Sequence, residues 1–486
     1  MKSICRPIGI IALLSIMALA GCGGSEGGAD ASGIGFPDGF IWGVAASAFQ
    51  TEGHVENDYT DWISEGRSPA LGDACDFWNR YAADIKLVAQ AGVKVYRVSI
   101  EWARIEPEQG VFDETALAHY RDILKTIRQN GMEPMVTLHH FTNPKWVAAN
   151  GWWAWDGIID AFGLYAGYVA RNLGDLVDLW NPQNEPMVYI TGFSMAGMYP
   201  GSKFYDIHTL YRVFHHDIWA NARAYDAIKK ADIADADGDG KASQVWMVYA
   251  VSPMYPGNPK DPEYVGAAER LDYYNNLAFP NALVTGALDI DFDGKTDKVV
   301  DGLQEGVFDE LRGRVDMIGV NYYTRQFVMP ADGVIPNVGA LPCPAGLCGK
   351  PGPVKGDNGN EVYPPGIYDA LKEFSRYRIP MVVTESGVAD EADTLRPSFI
   401  VMHLMQVDRA RREGMDVRGF LQWSLTDNYE WAEGYRMKFG LVSVDFTTQE
   451  RTRRGSFDLF AGIAASGRIT AAQVQKYNIP KINPMK

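Results

Sequence analysis

The chain has few cysteines and no excess of positive charge, and both shortages limit what it can be. Only five cysteines occur in 486 residues, so no disulfide framework holds the fold. Cys343 and Cys348 lie close enough in sequence to close one small loop in an oxidising compartment, and Cys75 is expected to pack as a small apolar side chain. The formal net charge of -16 argues against a nucleic-acid partner, because nothing here attracts a phosphate backbone. A neutral substrate fits this charge better.

The apolar run near the N-terminus, residues 8–20, is too short to span a bilayer. Lys2 and Arg6 precede it, as the charged region of a secretory signal precedes its apolar region. The run ends in LAGC, which resembles the bacterial lipobox, in which the cysteine, here Cys22, is lipidated and becomes the mature N-terminus. An ordinary signal cut near Ala20, with Cys22 incidental, is the alternative.

These features predict three segments of very different size. Residues 1–21 are expected to form a lipoprotein signal peptide, and residues 22–35 a polar, flexible tether from the lipidated Cys22. Residues 36–486 are expected to form one large domain, since no linker or internal repeat divides them. The chain is therefore predicted to be exported and anchored by lipid on the periplasmic or cell-surface side of a bacterial envelope.

Beyond the tether, eight apolar strand-like runs alternate with stretches of helical periodicity. Four apolar residues of the stretch 79–91, for example, share one helical face: Tyr81, Ile85, Val88 and Ala89. The eight runs are FIWGVAASAFQ, VYRVSI, EPMVTLHHF, LVDLWNPQNEP, QVWMVYAVSP, VDMIGVNYY, IPMVVTES and VRGFLQWSL. Continuous apolar strands predict a parallel sheet covered on both faces, and eight βα units predict a single (β/α)8 TIM barrel of the α/β class. The stretch 330–364, rich in Pro and Gly, is expected to be a rim-loop insertion at the catalytic end.

Two of these runs end in a glutamate, Glu185 in WNPQNEP and Glu385 in MVVTESG. A carboxyl pair at the ends of barrel strands is the minimum equipment for retaining glycoside hydrolysis. Histidines and tryptophans after strands are often only structural, so any one of them alone would prove little. Many such residues nevertheless fall on the same side of eight successive strands: Gln50, Arg97, His139, His140, Asn184, Asn321, Tyr323, Trp423, Glu430 and Trp431.

From Phe36 to at least Arg454 the sequence resembles glycoside hydrolase family 1, the β-glucosidase and β-galactosidase family. The matching segments occur in the family's order: FPDGFIWGVAASAFQTEG, NEP after the fourth strand and TESG after the seventh. TESGVADEAD, DVRGFLQWSLTDNYEWAEGY and KFGLVSVDF are most similar to the branch containing archaeal β-glycosidases. The resemblance implies the (β/α)8 barrel that the strand count also predicts.

The resemblance implies roles for individual residues of this chain. Glu385 matches the family's nucleophile and Glu185 its acid/base. Arg97 matches an arginine beside the nucleophile, where a cation would keep Glu385 ionised while apolar neighbours keep Glu185 protonated. Tyr323 would orient Glu385, and Asn184 would hold the 2-hydroxyl of the sugar. Asn321 is expected to support the same carboxyl groups.

The pocket for the terminal sugar is implied in the same way. Gln50 and Glu430 offer paired donors and acceptors for adjacent hydroxyls, and Trp423 offers a flat apolar face. The remaining residues implied to bind the sugar are His140, Trp431 and, in NGWW, Trp152. His139 is expected to be structural.

The sequence departs from the family pattern at three positions. Pro182 stands where threonine is usual, Ser386 where asparagine is usual, and Phe141 where tryptophan is frequent. None of these changes removes a catalytic group. Glu430 argues against 6-phospho-β-glycosidases, since a carboxylate would repel the phosphate, and Glu185 argues against myrosinase-like enzymes, which carry glutamine there.

Two short segments, DADGDGKAS from Asp235 and DIDFDGKTD from Asp289, have the acidic spacing and glycine of calcium loops. The glutamate expected at the twelfth position is absent, being Trp246 in one and Val300 in the other. A structural calcium ion and a solvated acidic turn are therefore both open. No cofactor is expected to be required for the reaction.

The sequence thus predicts a lipid-anchored, retaining exo-β-glycosidase acting on small β-glycosides or oligosaccharides, most simply a β-glucosidase. A β-galactosidase or β-fucosidase is the alternative within the same pocket. A carbohydrate-binding lipoprotein without catalysis is the alternative of another class, and the presence of both Glu185 and Glu385 argues against it. The membrane is expected as a partner only through the lipid, and nucleic acid is not.

Overall fold

A computed structural model describes residues 33–344 and 346–484 of the chain. The predicted signal peptide, Cys22 and the tether up to residue 32 lie outside the described residues. Within the described residues, no helix has both the length and the apolarity needed to cross a bilayer.

Eight parallel strands close into a barrel, and their order around the barrel follows the chain. All eight strands fall within the eight apolar runs, so the predicted (β/α)8 barrel is confirmed. The strands are β1 (Ile41–Ala45), β2 (Val95–Ser99), β3 (Glu133–His139), β4 (Leu179–Gln183), β5 (Gln244–Ala250), β6 (Met317–Asn321), β7 (Met381–Glu385) and β8 (Val417–Trp423).

Side chains from the barrel strands fill the interior, which explains why the runs are apolar throughout rather than on one face. The interior cluster takes one or two residues from seven of the strands: Val95, Met135, Leu179, Trp246, Val248, Met317, Val382 and Leu421. Gly43 of β1 leaves room for this packing. A Cβ at Gly43 would lie 2.6 Å from the Cγ of Leu421, so only glycine fits without a shift.

Helices cover the outside of the barrel, and their apolar faces form the larger core cluster with the outward-facing strand residues. The predicted helix over 79–91 is observed at Phe77–Gln90, where Ile85 and Val88 are fully buried. The other long helices are Glu114–Gln129, Ile158–Leu173, Ile207–Ala231, Pro262–Asp272, Ala278–Thr285, Pro365–Phe374, Arg396–Arg412 and Gly455–Ser466. A π-helical turn, Tyr273–Leu277, joins Pro262–Asp272 to Ala278–Thr285.

Shorter elements surround the barrel. The short helices are Ala48–Glu52, Asp58–Ser64, Trp102–Ile105, Lys145–Asn150, Pro186–Ser194 and Ala471–Tyr477, with 3-10 turns at Trp152–Ala154, Ser375–Tyr377 and Trp431–Glu433. The small antiparallel pairs are Ile34–Gly35 with Arg468–Ile469, Ala287–Leu288 with Gly306–Val307, Val299–Val300 with Leu303–Gln304, and Val442–Val444 with Arg451–Arg453.

The stretch 330–364 lies between β6 and the helix that leads to β7, as the sequence predicts for a rim insertion. It begins in a three-stranded sheet formed by Met254–Pro256, Gln326–Pro330 and Ala340–Pro342. Cys343 and Cys348 are joined as a disulfide with a Cα to Cα distance of 6.1 Å, which confirms the small closed loop. Cys75 is a free, fully buried thiol, as expected.

Candidate active site

The polar residues singled out from the sequence collect at the carboxyl end of the barrel. Asn321, Glu385 and Trp423 are the last residues of β6, β7 and β8, and Asn184 and Glu185 directly follow β4. This end is where the βα loops of such barrels build their sites. The same end receives Arg97 from β2, His140 after β3, and Gln50 from the helix Ala48–Glu52 that follows β1.

Glu385 is held by two donors, one at each carboxylate oxygen. Arg97 forms a salt bridge through Nη1 to Oε1, and both side chains are almost fully buried. The hydroxyl of Tyr323 donates to Oε2 at 2.6 Å. A buried carboxylate with a cation on one side and a hydroxyl on the other has a fixed orientation and a stabilised negative charge.

Arg97 also fixes its neighbours. Its Nη2 donates to Oδ1 of Asn184 at 2.6 Å, and its Nε donates to the hydroxyl of Thr137 on β3 at 3.1 Å. Because Oδ1 of Asn184 accepts from Arg97, the amide Nδ2 is the group that faces Nε2 of His140, at 3.3 Å. His140 Nε2 is therefore an acceptor, and burial together with the charge of Arg97 holds the pKa of His140 well below its usual value.

Glu185 occupies a different environment from Glu385. It lies between β4 and the helix Pro186–Ser194, with φ 47° and ψ 58°, a left-handed conformation that non-glycine residues seldom adopt and that concentrates at functional sites. Its Oε1 accepts from Nδ2 of Asn321 at 2.8 Å. Removal from water, followed by the nearby charge of Glu385, raises the pKa of Glu185 to about 8. Burial therefore favours the protonated form of Glu185.

Pro182 does not interrupt the presentation of these residues. It lies inside β4, and the chain continues to pair beyond it, because the backbone N–H of Asn184 donates to the carbonyl of His139 at 2.9 Å. The backbone N–H of Glu185 in turn donates to the carbonyl of Val248 on β5 at 3.0 Å. Both side chains are thus placed by backbone bonds to neighbouring strands.

Gln50 and Glu430 meet across the chain although 380 residues separate them. Nε2 of Gln50 donates to Oε2 of Glu430 at 3.3 Å and to the carbonyl of Tyr429 at 2.9 Å. Oε1 of Gln50 accepts from the hydroxyl of Ser47 at 2.7 Å. Burial, and secondly the charge of Glu385, raises the pKa of Glu430 to about 8. The pair offers an amide and a carboxyl group side by side.

Flat rings line up near this pair. The ring of His140 is nearly parallel to Trp423, at an interplanar angle of 15°, and to Trp431, at 11°, with centroids 6.2 Å away in both cases. Phe49 stacks on Trp431 at 5.5 Å and 9°. Such faces suit the C–H side of a pyranose ring.

Two of the sequence candidates have other partners. The indole N–H of Trp152 donates to Oδ2 of the buried Asp58 at 2.9 Å, and its ring packs on Phe193. Within the described part of the chain, no hydrogen bond or ring contact joins Trp152 to the other candidates. His139 faces Asn143, with Nε2 3.2 Å from Oδ1, and packs against Trp153, which agrees with a structural role.

Several residues of the site escaped the sequence reasoning. Thr384 donates to Oδ1 of Asn321 at 2.7 Å and so turns the amide Nδ2 of Asn321 towards Glu185. Phe439 joins the apolar cluster that contains Trp423 and packs edge-on against Tyr323. Both lie next to signals that the sequence offers: Thr384 directly precedes Glu385 on β7, and Phe439 is the second residue of the matching segment KFGLVSVDF.

The two acidic loops lie away from these residues. Asp235, Asp237 and Asp239 are exposed, and Asp289, Asp291 and Asp293 are buried or half-buried. Within each group, one carboxylate oxygen per residue lies within 4.8 Å of the others. A third group, Glu133, Asp178 and Asp237, shares Asp237 with the exposed loop. These three groups are where the described residues could hold a metal ion, and none of them contacts Glu185 or Glu385 by a hydrogen bond among the described residues.

Comparison with known proteins gives a consistent result. The family described as Glycosyl hydrolase family 1 matches residues 33–468. The beta-galactosidase of Pyrococcus woesei is 33% identical over 513 residues, covering 90% of this chain and 98% of that protein. Beta-glucosidase A of Thermotoga maritima is 32% identical over 446 residues, covering 87% and 96%. The solved structure of a beta-glycosidase from Pyrococcus horikoshii superposes with a TM-score of 0.82 at 33% identity, covering 93% of this chain and all of that one.

Proposed function

The chain belongs to glycosyl hydrolase family 1 and is a glycosidase, and from that membership we propose that it is a retaining exo-β-glucosidase. The observation that carries the proposal is the difference between the electrostatic environments of the two glutamates. Glu385 is held as an anion by Arg97 and Tyr323, whereas the pKa of Glu185 is raised to about 8. A carboxylate bonded by a cation and a hydroxyl, beside a carboxyl group that burial keeps protonated more readily, can serve as nucleophile and general acid.

In the first step, the Glu385 carboxylate attacks the anomeric carbon and forms an ester bond to the sugar. The bond from that carbon to the leaving oxygen breaks, and Glu185 gives its proton to that oxygen. Asn184, already held by Arg97, is placed to bind the 2-hydroxyl of the sugar while positive charge develops on the ring.

In the second step, water replaces the departed group. The negative charge of Glu385 is absent in the ester, and that charge is the second-largest cause of the raised pKa of Glu185. The pKa of Glu185 therefore falls, and its carboxylate takes a proton from the attacking water. Glu385 leaves the sugar as a carboxylate, and the product keeps the β configuration.

We assign the terminal sugar to the pocket formed by Gln50, Glu430, His140, Trp423 and Trp431. The amide and carboxyl groups of the first two residues can bond two adjacent hydroxyls, and the rings can cover the apolar face of the sugar. We leave Trp152 out of this set, because Asp58 uses its N–H. The preference for glucose is supported by similarity to the Thermotoga maritima beta-glucosidase, and β-galactoside cleavage by similarity to the Pyrococcus woesei beta-galactosidase.

The test is hydrolysis of 4-nitrophenyl glycosides by the purified full chain, comparing β-glucoside, β-galactoside, β-fucoside and α-glucoside. We expect the β-glucoside to give the highest kcat/KM and the first sugar released to be the β-anomer, as seen by NMR. Faster cleavage of the β-galactoside would overturn the glucose preference but keep the reaction. Silence on every β-glycoside would overturn the catalytic proposal.

We also propose that the chain is exported and anchored in a bacterial envelope through lipid on Cys22. The support is the sequence of residues 1–32, which precede the family match. In bacteria expressing the full chain, the wild type should enter the membrane fraction and incorporate labelled fatty acid, and Cys22→Ser should do neither. The matched control is Cys5→Ser, which changes the other N-terminal cysteine and should leave both properties intact. Labelling that survives Cys22→Ser would refute the anchor.

A further inference from the structure

The loop that follows the helix Ala278–Thr285 gathers three carboxylates in one small space. One oxygen each from Asp289, Asp291 and Asp293 lies within 4.8 Å of the others. Asp289 is only 1% exposed, and the side chains of Asp291 and Asp293 are 14% and 13% exposed. Like charges this close repel one another strongly out of water, so the cluster needs positive charge nearby.

Two oxygens of this cluster have nothing to bind. Oδ1 of Asp289 and Oδ1 of Asp291 are both shielded from solvent and have no hydrogen-bond partner in the described part of the chain. A buried carboxylate oxygen without a partner is costly, and in folded proteins such an atom calls for an explanation. A bound cation is an explanation that accounts for both oxygens at once.

The other oxygens of the loop are already accounted for. Oδ2 of Asp289 accepts from the hydroxyl of Tyr273 and from the backbone N–H of Gly294, each at 2.7 Å. Nζ of Lys298 bonds Oδ2 of both Asp291 and Asp293. Lys298 is joined by Lys295, whose Nζ lies 3.7 Å from Oδ2 of Asp293, so two lysines face the three carboxylates and the cluster keeps a net negative charge that a bound cation would reduce.

A second acidic loop in the same chain can be compared with this one. Asp235, Asp237 and Asp239 have the same spacing, but all three are exposed. Each accepts backbone N–H groups of its own turn, as in the bonds from Gly238 and Gly240 to Asp235 at 2.8 and 3.0 Å. None of these three residues has a buried oxygen without a partner in the described residues. The three exposed aspartates thus form a solvated turn, whereas Asp289, Asp291 and Asp293 form a closed cluster with two unsatisfied oxygens. Asp237 also lies within 4.8 Å of Glu133 and Asp178, but the unsatisfied oxygen of that group belongs to Glu133, outside the repeated pattern.

We propose that Asp289, Asp291 and Asp293 form a Ca²⁺ site. All the ligands are oxygens, which Ca²⁺ prefers and which sites for zinc or copper rarely use alone. Three oxygens that all lie within 4.8 Å of one another can share one Ca²⁺, whose ligands lie 2.3–2.6 Å from the ion. Mg²⁺ demands near-ideal octahedral geometry and gives up its water reluctantly, so we expect it to bind more weakly.

The ion would connect three parts of the fold. Tyr273, from the π-helical turn, already holds Asp289, and Nδ2 of Asn337 donates to the backbone carbonyl of Asp291 at 3.0 Å. Asn337 belongs to the rim insertion 330–364. Between the acidic residues, Phe292 is buried against Phe214 and Tyr274, with ring centroids 4.9 and 4.8 Å away. Binding would therefore stabilise the attachment of the rim insertion to the helical layer.

The test is calorimetric titration of the purified full chain with CaCl2, after removal of metals with EDTA and dialysis. We expect one ion per chain, a rise in Tm on adding CaCl2, and weaker binding of MgCl2. Asp291→Asn should weaken Ca²⁺ binding more than about tenfold, since even changes outside the first ligand shell cost 10- to 100-fold. The matched control, Asp239→Asn in the exposed loop, should change neither the stoichiometry nor the affinity. Absence of binding heat and of any Tm change would refute the site, as would binding that survives Asp291→Asn but is lost in Asp239→Asn.

In the alternative explanation, the ammonium group of Lys298 neutralises the aspartates and no metal ion binds. A second variant distinguishes this alternative from Ca²⁺ binding. Lys298→Met should raise the affinity for Ca²⁺, because it removes a positive charge that competes for Asp291 and Asp293. Lys241→Met in the exposed loop is its control and should leave the affinity unchanged. A Lys298→Met chain that melts at a lower temperature with and without CaCl2 and binds no Ca²⁺ would overturn the proposal.

Discussion

Tyr323 donates its hydroxyl hydrogen bond to Oε2 of Glu385 at 2.6 Å, on the oxygen that Arg97 does not bind. The two residues come from adjacent strands, since Tyr323 follows β6 and Glu385 ends β7. The neighbouring backbone is tied as well, because the N–H of Tyr322 donates to the carbonyl of Glu385 at 2.8 Å. The position and the electrostatic environment of Glu385 thus depend on the pairing of these two strands.

Tyr323→Phe should lower kcat/KM about 10- to 150-fold, because a hydrogen bond to a charged group contributes about 1.5–3 kcal/mol. The adjacent Tyr322→Phe is the control, since it loses a bond of similar length, 2.6 Å to the carbonyl of Tyr363, away from Glu385. Steady-state kinetics and Tm of both variants decide the question. An equal loss of activity in Tyr322→Phe at unchanged Tm would contradict the role given to Tyr323.

Glu385→Ala should lower kcat roughly 10⁴- to 10⁶-fold, the range found when single members of a catalytic group of residues are removed. Added azide should restore part of the activity and give an α-glycosyl azide, because azide enters from the face that Glu385 occupied. Glu185→Ala should instead give a β-glycosyl azide, since azide then attacks the glycosyl ester. NMR distinguishes the α- and β-glycosyl azides. A β-glycosyl azide from Glu385→Ala would mean that Glu185 is the nucleophile and Glu385 the acid/base.

The pH dependence should follow Glu185. Its pKa is raised to about 8, so the proton donor is present below that pH and is lost as the pH rises through it. We expect kcat/KM for an alkyl β-glucoside to fall above about pH 8, and that for a 2,4-dinitrophenyl β-glucoside, whose leaving group needs no proton, to stay level. Because burial also raises the pKa of Glu430 to about 8, Glu430→Gln is the control. An alkaline fall that vanishes in Glu430→Gln would show that Glu185 is not the titrating group.

Glu430→Ala should lower kcat/KM by about 5- to 150-fold, because it removes a carboxyl group that we assign to two sugar hydroxyls, at about 0.5–1.5 kcal/mol for each hydrogen bond. The neighbouring Glu433→Ala should have a much smaller effect, since the side chain of Glu433 is 44% exposed on the same short turn and pairs with Arg436. Both variants are compared by kcat/KM on the same β-glycosides. A loss in Glu433→Ala as large as that in Glu430→Ala would mean that the turn, rather than the carboxyl group, matters.

Gly43→Ala should destabilise the barrel by about 1–3 kcal/mol through overpacking against Leu421. Gly462→Ala is the opposite case, because a Cβ there meets nothing within 4 Å and the residue lies inside the helix Gly455–Ser466. It should stabilise the chain by about 0.5–1 kcal/mol. Denaturant unfolding measures both, and a neutral Gly43→Ala would show that the interior layer can expand.

The sequence by itself determined the eight strands, the order of the barrel and the two glutamates at its carboxyl end. These depend on local information: a continuous apolar run predicts a buried parallel strand, and the residue after the run must lie at the strand's end. The helix at Phe77–Gln90 was found within two residues for the same reason, because Ile85 and Val88 repeat with the helical period.

Only the tertiary structure decided how each side chain is used. Gln50 meets Glu430, the N–H of Trp152 is taken by Asp58, and Thr384 turns the amide of Asn321, and each contact joins segments far apart in the chain. The acidic loops show the limit most clearly. Asp235 and Asp289 begin the same pattern, yet Asp235 is exposed, whereas Asp289 is buried and accepts a hydrogen bond from Tyr273. The free energy of an ionised carboxylate depends on how far it is removed from water. That removal is decided by the residues that pack around a segment, not by the sequence of the segment itself.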